Sequence, residues 1–172
     1  MIFTVGHSTH PIDEFLELLA AHGIAQLMDV RTIPKSRRNP QYNTDTLAES
    51  LQQAHIHYRH MPGLGGLRHP RKDSINSAWQ NDSFRGYADY MQTPPFDASL
   101  RELIEAAKLH RTVIMCAEAV PWRCHRSLIA DALLARGIEV ADILTTKPAK
   151  LHALTSFARV EGEKVTYPGL LS

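Results

Sequence analysis

A chain of 172 residues, 44% hydrophobic and 22% charged, has the composition of one ordinary globular domain with a substantial core. No apolar stretch reaches the roughly 20 residues of a membrane-spanning helix, so a membrane partner is not expected. The formal net charge of +1 hides an asymmetry. Residues 31–72 carry eight basic side chains against Asp45 and Glu49, a net +6, which leaves −5 for the rest.

In chain order, residues 2–5 read as a first strand. Gly6-His7-Ser8-Thr9 reads as a turn, and a helix follows from about Pro11, with Ser8 or Thr9 as its cap. Ile12, Phe15, Leu16 and Leu19 form its apolar face, and Gly23 stops it. Residues 25–30 form a second apolar run ending in Asp29-Val30-Arg31. A turn-rich basic loop comes next, then a helix over residues 44–55. A short strand is expected at residues 56–60. Residues 62–96 are the least regular, with a short helix near residues 83–91 that Pro94-Pro95 breaks.

Residues 97–109 form a helix with Leu100, Leu103, Ile104 and Ala107 as its stripe. An apolar run at residues 112–117 has the make-up of a fully buried strand. It leads through a polar turn into a helix carrying Leu128, Ile129, Ala132 and Leu133. Residues 138–143 form the last strand of the pattern, and residues 157–160 and 164–167 flank a terminal hairpin. Alternation of this kind predicts a single α/β domain over residues 1–172. Its mostly parallel, twisted sheet of about five strands carries helices on both faces.

In such sheets ligands bind at the carboxyl ends of the strands. That edge collects His7 and Ser8, then Asp29 and Arg31, then Cys116 and Glu118. The helix N-terminus beyond Cys116 attracts anions. Cys116 is the candidate nucleophile; Glu118, Asp29 and His7 are the candidate acid, base and orienting groups. Ser8, Arg31, Ser36, Arg123 and Arg126 are the candidate anion-binding groups, arginine being suited to bidentate capture of phosphate. Tyr58, Trp79, Tyr87 and Tyr90 are candidates for stacking on bases or for core packing.

Two other readings stay open. Cys116, Cys124 and His125 offer donors to zinc or iron, although their spacing matches no standard zinc pattern. The basic segment 31–72 suits a non-catalytic module on nucleic acid. The sequence requires no cofactor, and oligomeric state is left open. The expected partner is an anionic small molecule or nucleic acid. With only two cysteines, the expected location is cytoplasmic.

Four motifs in order, Thr4-Val-Gly-His-Ser-Thr, Asp29-Val-Arg-Thr-Ile-Pro-Lys-Ser, Leu64-Gly-Gly and Cys116-Ala-Glu with Cys124-His-Arg-Ser, resemble the DUF488 family, a domain of unknown function. The resemblance spans nearly the whole chain and implies a single cytoplasmic-type α/β domain, without supplying a reaction. Asp142 departs from it, standing where family members often carry a histidine.

Overall fold

The computed structural model describes residues 1–169. Its main sheet has six strands in the order β3-β2-β4-β1-β5-β6. These are β1 (Ile2–Gly6), β2 (Gln26–Asp29), β3 (His57–His60), β4 (Thr112–Cys116), β5 (Val140–Asp142) and β6 (Lys150–Leu151). The first five run parallel, and β6 joins β5 antiparallel. Two further strands, β7 (Arg159–Glu161) and β8 (Lys164–Thr166), make a separate antiparallel hairpin. The five expected sheet strands are all present and parallel; β6 is an addition, since two exposed residues carry no apolar period.

Side-chain alternation along the central strands divides the core in two. Phe3, Val5, Leu27, Val113 and Met115 face α1 (Ile12–Ala21) and α2 (Thr44–Gln53), which contribute Phe15, Leu19, Leu47 and Leu51. Ile2, Met28 and Ile114 face the opposite layer, built by α3 (Asp82–Tyr90), α4 (Pro94–Ala107) and α5 (Arg126–Ala135). Burial of β1, β2 and β4 on both faces explains why they read as unbroken apolar runs.

Two helix starts differ from expectation. Pro11 itself occupies the N-cap of α1, and no side chain caps that helix, so neither Ser8 nor Thr9 has the expected role. Pro94-Pro95 follows the end of α3 at Tyr90 and itself opens α4, which was expected to start at Asp97. A proline in the first turn lacks only an N–H that would have no intrahelical partner.

The order of strands positions the site. From β1 the chain leaves toward α1 on one face; from its neighbour β4 it leaves toward α5 on the other. Loops that diverge from adjacent parallel strands open a crevice at their carboxyl ends.

Candidate functional site

A cleft of about 1010 Å³ occupies that crevice. Its floor comes from the ends of β1 and β4. His7 N–H donates to the Cys116 carbonyl and Ser8 N–H to the Ala117 carbonyl, each at 2.9 Å, so the ladder continues past both strands. This close approach requires glycine at position 6: a β-carbon there would overlap the Glu118 carbonyl. Ser8 and Leu67, both lining the cleft, hold left-handed φ angles of 48° and 58°. Non-glycine residues adopt that region rarely, and they concentrate at functional sites.

The wall from β2 is built on a buried ion pair. Arg31 donates from Nε to Asp29 Oδ1 at 2.8 Å and from Nη2 to Asp29 Oδ2 at 2.7 Å. Tyr58 donates its hydroxyl to Asp29 Oδ2 at 2.7 Å, and Arg31 also donates to the Tyr42 carbonyl. Asp29 is fully buried and absent from the cleft lining, whereas Arg31 reaches it. The same arginine lies 3.4 Å from His7 Nε2. That leaves the His7 proton on Nδ1, donated to the Ser8 carbonyl at 2.8 Å. Burial lowers the His7 pKa to about 4, with Arg31 adding to the effect, so the ring is neutral at physiological pH. It stacks on Tyr42 at 4.1 Å.

The loop after Arg31 adds a further part of the lining. Ser36 N–H donates to Asn43 Oδ1, Asn39 N–H donates to Ser36 Oγ, and Thr32 Oγ1 donates to the Gly66 carbonyl. Lys35, Ser36 and Asn39 line the cleft together with Glu118, Trp122 and Arg123. Ile33, Leu67 and Trp122, 64%, 76% and 64% exposed, form an apolar rim. Among the described residues, Lys35, Arg37, Arg38 and Arg123 have no carboxylate within ion-pair distance. Arg59 and Arg71 are paired with Glu102 and Asp73, so part of the +6 segment is neutralised locally.

Cys116 and Cys124 both line the cleft and are joined as a disulfide; neither is a free thiol here. Arg126 does not line the cleft. Its guanidinium is turned inward, fully buried, donating to Cys116 Sγ at 2.7 Å, to the Glu118 and Ala119 carbonyls and to Thr4 Oγ1. It therefore braces the turn over residues 117–119 where the sequence suggests an anion clamp. The Glu118 side chain is exposed at the cleft and pairs with neither Arg123 nor Arg126 among the described residues.

His125 Nε2 is 3.0 Å from the Val30 carbonyl, and Nδ1 is 3.6 Å from Cys124 Sγ. Burial pulls its pKa down to about 4, against the Val30 bond, so the neutral ring donates to Val30. Cys116, Cys124 and His125 are not grouped as a ligand set among the described residues. Among the described residues no group of three or more His, Cys, Asp or Glu side chains is placed to hold a metal ion.

The aromatic candidates for stacking are packed instead. Tyr58 serves Asp29, Tyr87 and Tyr90 donate to the Leu64 and Gly63 carbonyls, and Trp79 sits among Phe84, Phe157 and Tyr167. Sequence reasoning missed Trp122, Tyr42 and Thr4. Pro121, which starts the 3-10 turn that carries exposed Trp122, was the one local signal available, and it marks the turn rather than the exposure.

A family model described as "Domain of unknown function DUF488" matches residues 11–133, a span that holds every cleft-lining residue except His7, Ser8 and Thr9. No curated protein and no solved structure matches the chain.

Proposed function

The chain belongs to the DUF488 family, and from that premise we propose an enzyme that acts on an anionic, phosphorylated ligand bound at the carboxyl edge of its sheet. A nucleotide, free or at the end of a nucleic-acid strand, is the ligand class that suits the cleft best. The observation that carries this reading is the pairing of unneutralised Lys35 and Arg123 with exposed Trp122 around one cleft. Cations without carboxylate partners favour phosphate, and an exposed indole offers a stacking face to a base. Ser8 and Ser36 add hydroxyl groups to the same walls.

The chemistry this arrangement suits is thiol-dependent transfer or hydrolysis once Cys116 is reduced. Cys116 is the candidate nucleophile at the floor, and Glu118 the exposed carboxyl that can exchange a proton with ligand or water. His7 acts as a positioning residue, since its neutral ring holds the Ser8 turn and contacts Arg31. Asp29 contributes through Arg31, which it orients. Arg126 contributes through the 117–119 turn.

The competing reading is a non-catalytic nucleic-acid module working through exposed Arg37, Arg38 and Lys72. Titration with inorganic pyrophosphate and with a short single-stranded oligonucleotide, followed by NMR, separates the two. The enzyme reading expects shifts at Ser8, Ser36 and Arg123 and at least tenfold weaker binding in Lys35→Gln/Arg123→Gln. Undiminished binding in that double variant, with loss in Arg37→Gln/Arg38→Gln/Lys72→Gln, would place the ligand on the outer surface and overturn it.

A further inference from the structure

The buried guanidinium of Arg126 lacks a carboxylate partner. Its Nε reaches Thr4 Oγ1, one Nη serves the Cys116 sulfur and the Glu118 carbonyl, and the other serves the Ala119 carbonyl. The nearest negative groups act from a distance. Asp142 accepts the Thr4 hydroxyl and so lies one group removed, and the Glu118 carboxylate is exposed at the cleft. Burial lowers the Arg126 pKa to about 10, which still leaves the group charged at neutral pH. A buried charge whose direct hydrogen-bond partners are all neutral remains costly to hold away from water. The one atom in contact with it that can become an anion is Cys116 Sγ.

Cys124 has a different environment. Its sulfur faces neutral His125 Nδ1 at 3.6 Å, an acceptor for an S–H proton, and receives the Arg126 backbone N–H at 3.5 Å. The side-chain charge is thus placed on one sulfur of the pair and a neutral proton acceptor on the other.

We infer that Cys116 and Cys124 are a reversible dithiol–disulfide couple whose reduced form is stabilised by the Arg126–Cys116 contact, making the disulfide an oxidant toward small-molecule thiols. The inference goes beyond the ligand reading above and does not depend on which anion fills the cleft. Cys116 and Cys124 both line that cleft, 3% and 5% exposed, and a small thiol approaches them from it. In the forward step a thiolate attacks Cys124 Sγ; the protein S–S bond breaks and Cys116 departs as a thiolate held by Arg126. A more stabilised thiolate leaves faster, which selects this direction of attack. A second thiolate then attacks the external sulfur of the mixed disulfide and releases Cys124, which takes a proton from water and donates it toward His125. Two small thiols lose two electrons to the protein and form one external disulfide. Of their two protons, one ends on Cys124 and one in solvent while Cys116 stays ionised.

The test equilibrates the full chain with mixtures of reduced and oxidised glutathione, followed by acid quench, alkylation and mass counting of labels. The expected result is one transition from no labels to two. Arg126→Met should need at least a tenfold higher ratio of squared reduced to oxidised glutathione at its midpoint, about 30 mV for two electrons. Arg126→Lys, which keeps the charge, should fall between. Two labels persisting in oxidised glutathione alone, or an unchanged midpoint in folded Arg126→Met, overturns the inference. Should Arg126→Met fail to fold, thiolate absorbance in Cys124→Ser decides without touching Arg126. A half-point below the ordinary thiol value of roughly 8.5 supports it, and one at or above that value overturns it.

Discussion

Arg31 closes a two-pronged ion pair on Asp29, two residues earlier in the same strand end, with oxygen distances of 2.7 and 2.8 Å and both groups buried. The pair joins the edge strand to the site, because Tyr58 of β3 also donates to Asp29 while Arg31 reaches His7 at the end of β1. Breaking a buried pair from one side leaves the other charge uncompensated. Asp29→Asn is therefore expected to cost about 3–5 kcal/mol in urea unfolding. Loss of less than about 1 kcal/mol, the scale of exposed pairs, would show that Arg31 finds another anion.

A second prediction concerns Gly6. The Glu118 carbonyl occupies the space of a β-carbon there, and backbone on a braced turn does not yield as a flexible side chain does. Gly6→Ala should displace the 117–119 turn, lower thermal stability and shift the amide resonances of Glu118 and Ala119. Gly137→Ala is the control: its φ of 77° strains the substitution, but nothing lies within 4 Å. It should lose stability without moving the turn resonances.

The third prediction is a pH dependence at the opposite side of α5. His152 Nε2 donates to Asp131 Oδ1 at 2.8 Å, and its Nδ1 lies 3.8 Å from Asp142 Oδ2. Burial alone would lower its pKa, but the bonds and charges of Asp131 and Asp142 outweigh it and raise the value to about 9. A raised histidine stabilises the fold fully below its unfolded value of about 6.5, and the contribution fades as pH rises through 9. Solvent reaching the ring reduces the effect to on the order of 2 kcal/mol. The stability gap between wild type and His152→Asn, measured by urea unfolding, should be largest at pH 6 and shrink by pH 10. A gap constant over that range would mean that His152 is not charged in the fold.

The legible part of the fold was the part governed by local periodicity. Five parallel strands and five helices follow from runs such as Val113–Met115, which are apolar because both sheet faces are covered. Strands without that cover were harder to read: β6 carries two exposed residues, and its pairing with β5 depends on where the chain returns after residue 144. Placement at strand ends likewise marked His7, Ser8, Asp29, Arg31, Cys116 and Glu118 as one edge, and all of these except Asp29 line the cleft.

Alternation fixes the direction of each strand and hence which end its polar residues occupy, so the residues near that edge can be read from the chain alone. Which way each side chain turns was decided only by tertiary structure. Arg123 and Arg126 are three residues apart in one motif, yet Arg123 is exposed at the cleft while Arg126 is buried against Cys116 and two carbonyls. Asp29 and Arg31 share a strand end, yet only Arg31 reaches the cleft, because Tyr58 and Arg31 together enclose the carboxylate. The physical reason is the same in each case. A long charged side chain goes where unpaired carbonyls, hydroxyls and opposite charges meet, and those partners come from segments up to 122 residues away, as with Arg126 and Thr4. No local spacing encodes that meeting; it exists only once the sheet has brought β1 and β4 side by side.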